Sequence, residues 1–192
     1  MKINEIFYSI QGEGYHSGQA AIFVRFSGCN LKCPFCDTNH KPFKEMTEAD
    51  ILQEISQYNC KFVVLTGGEP TLQVTAEFIK KLQTAGYYVA IETNGTRKIT
   101  DDIDWITISP KIDYVGAAGC LKQMYADEVK VVCNEYNKPN DYGISADHYY
   151  LQPCDVQNNE RNEKILKHCI NFVKKNTKWK LSIQLQKTLK VR

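Results

Sequence analysis

Ala20-Ala21-Ile22-Phe23-Val24-Arg25-Phe26 runs straight into Ser27-Gly28-Cys29-Asn30-Leu31-Lys32-Cys33-Pro34-Phe35-Cys36. The first seven residues are apolar, β-branched or aromatic apart from one arginine, and a glycine follows soon after, so they predict a strand. The segment after them holds three cysteines, at positions 29, 33 and 36. A strand that hands metal-ligating side chains to the loop at its end fits a parallel α/β protein, whose sites gather beyond the C-terminal ends of the strands.

The flanking sequence continues in that style. Thr47-Glu48-Ala49-Asp50 reads as a capping box, and Ile51, Leu52, Ile55 and Tyr58 follow at helical spacing. Phe62-Val63-Val64-Leu65 predicts a second strand running into Gly67-Gly68, and Ala76, Phe78, Ile79 and Leu82 predict a helix stopped by Gly86. Further strands are expected at 87–91, 105–108, 128–133 and 148–152, a long helix at 162–176 and a last strand at 181–185. Residues 93–128 carry turn residues and no long helical pattern. Residues 6–10 are expected to pair as an extra strand before Gly12-Glu13-Gly14.

Alternating strands and helices imply parallel βαβ units in an α/β fold. The chain has 192 residues and shows no repeat or linker, so residues 1–192 read as a single domain. A full eightfold barrel needs about 250 residues, so a shortened, partial (βα) barrel with mostly parallel strands is expected. Lys and Arg number 24 against 22 Asp and Glu, a net charge of +2, which argues against a nucleic-acid surface. No apolar run approaches the roughly 18 residues of a membrane span. Glu5 stands where a signal peptide would begin its apolar stretch, so a cytoplasmic location is expected.

Eight cysteines in such a chain favour metal binding or catalysis over a disulfide framework. Three thiolates in one short loop can converge on a metal centre. A four-iron cluster ordinarily takes four cysteines, and three leave one iron open to a small molecule. Zinc held by Cys29, Cys33, Cys36 and His40 is the competing reading. Cys60, Cys120, Cys133 and Cys169 read as small packed hydrophobes, and Cys154 as a residue bordering the site.

The C-x3-C-x2-C spacing, with Phe35 just before the last cysteine, resembles the radical S-adenosylmethionine (SAM) superfamily. That resemblance implies a [4Fe-4S] cluster whose open iron binds SAM, and a 5′-deoxyadenosyl radical as hydrogen abstractor. Thr66-Gly67-Gly68-Glu69-Pro70 resembles the superfamily's GGEP motif, which meets the SAM amino group; Glu69 is an acceptor suited to an ammonium. Ser109-Pro110-Lys111 resembles the contact to the SAM carboxylate and ribose, and Gln152-Pro153 an adenine-side contact. Phe35, Cys36 and Asp37 join this SAM-binding set.

A narrower resemblance rests on three stretches: Phe7 to Gly14, Phe23 to Leu31, and Cys36-Asp37-Thr38. With Glu92-Thr93-Asn94-Gly95, they look like the 7-carboxy-7-deazaguanine synthase family. The resemblance implies a lyase that converts 6-carboxy-5,6,7,8-tetrahydropterin to 7-carboxy-7-deazaguanine with loss of ammonia, for queuosine and other deazapurines. Thr38 is the family's Mg²⁺ position. Arg25, a fork-shaped donor, suits a substrate carboxylate. Ile10, Gln11, Gly12, Glu13 and Thr66 are expected to face the pterin, as are Gln186 and the terminal Arg192. Gln186 stands where family members often carry histidine. A flavodoxin or ferredoxin as electron donor and a homodimer are also implied. A radical SAM activase of a glycyl radical enzyme is the alternative within the superfamily.

Overall fold

The computed structural model describes residues 1–100 and 102–191. Among them one nine-stranded sheet forms, with strands β1 (Lys2–Ile10), β2 (Ala20–Phe26), β3 (Lys44–Glu45), β4 (Phe62–Gly67), β5 (Tyr88–Thr93), β6 (Trp105–Ile108), β7 (Tyr125–Cys133), β8 (Ser145–Pro153) and β9 (Trp179–Leu181). Their order is β3-β1-β2-β4-β5-β6-β7-β8-β9. β1 is antiparallel to both β2 and β3, and every pair from β2 to β9 is parallel. From β4 onward the strands lie in chain order, the winding of a barrel rather than of a sheet with a switch point.

Helices α1 (Glu48–Ser56), α2 (Ala76–Thr84) and α4 (Asn159–Lys175) are the long crossovers. Thr47 caps α1 as expected: its hydroxyl accepts from Asp50 N at 3.1 Å, while Asp50 Oδ2 accepts from Thr47 N at 2.8 Å. Among the described residues two connections, β5 to β6 and β7 to β8, contain no helix, and α3 (Ile112–Val115) is a single turn. The main core lies between the helices and the outer sheet face, built from residues such as Phe26, Ile51, Leu65, Phe78, Ile91 and Cys169. A smaller cluster of Phe7, Ala21, Phe23, Phe62, Val64 and Ala90 fills the inner face.

The sheet curls far enough for one loop to bridge its two halves. The loop after β1 crosses the interior: Gly14 N donates to Ser182 Oγ at 2.9 Å, and Tyr15 N to Glu128 Oε2 at 2.7 Å. Open at β3 and β9, this is the partial barrel that the length implies.

The chain's end differs from the expected strand at 181–185. The last strand stops at Leu181, and α5 (Leu185–Leu189) follows. Leu181-Ser182-Ile183-Gln184-Leu185 alternates like a strand, but tertiary contacts override the pattern. Leu185 N donates to Gly12 O at 3.0 Å, and Gln184 Nε2 to Glu13 Oε1 at 2.9 Å, which turns the segment inward.

Candidate active site

Beyond the C-terminal ends of the strands lies a cavity of about 680 Å³. Its apex is the cysteine loop. That loop has no regular structure of its own, and its base is held by backbone contacts. Ser27 Oγ donates to His40 O at 2.5 Å, Gly28 N donates to the same oxygen at 3.2 Å, and Asn4 Nδ2 donates to Pro42 O at 2.6 Å. Asn30 ties the loop to the end of β5 through Thr96 and Asn94.

Cys29, Cys33 and Cys36 all line the cavity, together with Phe35, Asp37 and Thr38. Burial pushes the Cys29 and Cys33 thiols up, which favours the neutral form; a cationic metal centre reverses that balance by binding thiolates. Among the described residues no trio of His, Cys, Asp or Glu is preassembled around an ion, so the thiols line the cavity without converging. The donor set still fits an iron–sulfur cluster: three soft ligands on one irregular loop, facing a cavity with room for a nucleoside. His40, the fourth ligand of the zinc reading, does not line it.

The GGEP segment lies beside this loop. Gly67, with φ of 122°, leaves no room for a side chain: a Cβ there would stand 2.3 Å from Phe26 O, and one on Gly68 would stand 1.9 Å from Gly28 O. The close approach these glycines allow is therefore to the root of the cysteine loop. Gly68 N donates to Phe26 O and Glu69 N to Gly28 O, both at 2.9 Å. Glu69 departs from its expected role as an open acceptor. It is fully buried and does not line the cavity. Its carboxylate accepts from Thr71 N, Thr71 Oγ1, Thr93 Oγ1 and Asn94 N, so it cross-braces the ends of β4 and β5.

Ser109 and Lys111 line the cavity, but buried Pro110 does not. Lys111 Nζ donates to Ser109 O at 2.7 Å, and burial brings its ammonium down to about 8. Gln152 and Pro153 also line the cavity, and the buried Gln152 Oε1 has no hydrogen-bond partner among the described residues.

The opposite half is polar and crowded. Ile10, Gln11, Gly12, Glu13, Arg25, Thr66 and Gln186 all line it. Arg25 Nε donates to Glu5 Oε1 at 2.9 Å, and its guanidinium lies 5.6 Å from the Phe7 ring centre. Thr66 Oγ1 donates to Glu92 Oε2 at 3.0 Å, and Gln11 Nε2 to Glu92 Oε1 at 3.1 Å. Gln186 Nε2 donates to Glu13 Oε1 at 3.1 Å, while its own buried Oε1 lacks a partner among the described residues. Arg192 lies outside the described residues.

Glu92, Lys130, Gln184 and Lys187 are among the lining residues to which the sequence assigned no site role. Lys130 carried a legible signal. In Glu128-Val129-Lys130-Val131-Val132 two charges alternate with valines, and period two puts both on one face of a strand buried on both sides.

A sequence model of the Radical SAM superfamily matches residues 23–113. A 7-carboxy-7-deazaguanine synthase of Bacteroides thetaiotaomicron is 46% identical, over 100% of this chain and 98% of that protein. One from Haemophilus influenzae is 37% identical, over 97% and 92%. The crystal structure of QueE from Escherichia coli superposes with a TM-score of 0.76 at 27% identity, covering 96% of this chain and 93% of that one. These full-length similarities, with three thiols and a polar pocket in one cavity, place the chain in the 7-carboxy-7-deazaguanine synthase family of the radical SAM superfamily.

Proposed function

We propose that this chain converts 6-carboxy-5,6,7,8-tetrahydropterin to 7-carboxy-7-deazaguanine, releasing ammonia, and that the cavity divides that work between its two halves. The observation that carries this reading is the joining of Cys29, Cys33 and Cys36 with Arg25, Glu13 and Thr66 in one cavity. When bound, a [4Fe-4S] cluster and SAM supply hydrogen-atom abstraction. Cys29, Cys33 and Cys36 would hold the cluster. Gly68, Ser109, Lys111, Gln152 and Pro153 would cradle SAM.

The polar half binds and orients the pterin. Arg25, steadied by Glu5, presents its free N–H groups to the carboxylate. Glu13 stays ionised and accepts from the N–H groups of the pyrimidine ring. Thr66 and Gln11 fix Glu92 beside it. Thr38 offers one hydroxyl to Mg²⁺, with the substrate carboxylate and water supplying the rest of an octahedron. A flavodoxin or ferredoxin would supply the electron. The assembly would be a homodimer. No helix among the described residues is long and apolar enough to cross a membrane.

The test is anaerobic turnover with SAM, reductant, Mg²⁺ and carboxytetrahydropterin. The expected result is carboxydeazaguanine and ammonia in equal amounts. SAM cleavage without ring contraction, or a colourless protein carrying zinc, would overturn the assignment.

A further inference from the structure

Below the substrate half of the cavity, the inner face of the barrel carries a lateral polar row. In the parallel register Glu92 stands opposite Thr107, Thr107 opposite Glu128, and Glu128 opposite His148. Thr66 extends the row at one end through its hydrogen bond to Glu92. Neighbouring strands lie about 4.8 Å apart, so Glu128 stands one strand from His148 and, across Thr107, two strands from Glu92.

A second, small cavity of about 10 Å³ lies against this row, near the lower limit for one water molecule. Glu13, Glu92, Thr107, Glu128 and His16 line it. Gln11, Glu13 and Glu92 line both cavities, so an amide and two carboxylates form the partition. On the far side, His16 Nδ1 meets Gln19 Oε1 at 2.9 Å near the surface, while its buried Nε2 has no partner among the described residues. With Nδ1 protonated toward Gln19, Nε2 is an open acceptor facing inward.

We propose that His16, the small cavity's water, Glu128 and Glu92 form a proton-uptake path from the N-terminal end of the barrel to the substrate. This rests on the synthase reading. The substrate differs from the product by NH3, and near neutral pH ammonia leaves as ammonium, so each turnover takes up one proton from solvent. The Glu128 carboxyl gives its proton through the water to the Glu92 carboxylate. Glu92 passes a proton to the nitrogen that leaves as its C–N bond breaks. Solvent restores the Glu128 proton through His16.

The surroundings of Glu128 suit a proton carrier. Burial raises its carboxyl to about 7, against the pull of Lys130 and the hydrogen bond from Tyr15 N, with Glu92 and Glu13 adding like-charge repulsion. His148 and Tyr150 face it from β8, and His16 from the loop. Burial lowers His16, leaving a neutral imidazole near pH 7 that can accept and donate.

The variants are Glu128→Gln, which keeps an acceptor for Tyr15 N, and His16→Phe, which keeps the ring packed on Phe62 and Trp105. Infrared difference spectra of the purified chain should show a carboxylic-acid band that titrates near neutral pH and is lost in Glu128→Gln. In turnover, both variants should slow product formation about tenfold or more and flatten its decline above pH 7, while SAM cleavage persists. If no titrating band disappears in Glu128→Gln, or if both variants follow the parent's pH profile, the path is refuted. A parent that forms no product overturns the synthase reading and the path's role with it.

Discussion

Lys130 Nζ donates to Glu13 Oε2 at 2.5 Å and lies 3.6 Å from Glu92 Oε1, so one buried ammonium gathers two carboxylates in the polar half of the cavity. Burial alone would raise Glu13, but the charge and hydrogen bond of Lys130, with Gln184 and Gln186, bring it down to about 2. The carboxylates in turn hold Lys130 well above the ordinary lysine range against its own burial.

Lys130→Met should therefore destabilise the protein by about 3–5 kcal/mol at neutral pH, because it leaves buried carboxylates unpaired. The sign of the pH dependence follows from Glu13. Its lowered value contributes stability above the ordinary 4.5, and that contribution is lost as pH falls toward about 2. The gap between parent and variant in denaturant melts should narrow over that window. A constant gap would mean the pair is not the source.

Gly12→Ala should break the contact between the β1–β2 loop and the tail. A Cβ on Gly12 would stand 1.7 Å from Gln186 Oε1 and 2.9 Å from Gln186 N, so side chain and α5 must both shift. Pterin affinity should fall by at least about tenfold, near 1.4 kcal/mol, with iron content unchanged. Pairing it with Gln186→Ala removes the nearest atom and should restore part of the affinity. Calorimetric titration of substrate checks both.

The sequence exposed those features that local chemistry decides. The capping box at Thr47, the thiols on one loop and the strand-to-glycine junction at 66–68 each depend on neighbours a few residues away. What it hid depends on curvature. Glu69 resembles a ligand contact, yet donors from the end of β5 occupy its oxygens. Gln184 and Lys130 meet Glu13 across 171 and 117 positions, and no local pattern encodes a contact that arises only when the sheet curls.

Cys36→Ala should abolish the brown colour, the bound iron and SAM cleavage, and so should Cys29→Ala and Cys33→Ala, since three thiolates are the fewest that hold a four-iron cluster with one open site. Cys169→Ala is the contrast. Cys169 is buried in the α4 core, away from the cavity, and the Cys133 thiol beside it together with burial keeps it protonated. That variant should lose some stability and keep its full iron content. Iron and sulfide assays after anaerobic reconstitution separate the two classes.

Thr38→Ala tests the magnesium role, and its value lies in what it leaves intact. Thr38 lines the cavity two residues past Cys36, and no hydrogen bond from its hydroxyl ties it into the fold among the described residues. Removing that oxygen should leave iron content and melting temperature unchanged. Mg²⁺ holds few protein ligands and relies on water and substrate oxygens, so one lost ligand weakens the ion without abolishing it. The Mg²⁺ concentration needed for half-maximal product formation should rise about tenfold, or roughly 1.4 kcal/mol, while SAM cleavage without substrate is unaltered. Thr38→Ser, which keeps the oxygen, should stay near the parent. Identical Mg²⁺ dependence in the alanine variant and the parent would exclude Thr38 as a ligand and leave Asp37, the adjacent cavity-lining carboxylate, as the residue to substitute next.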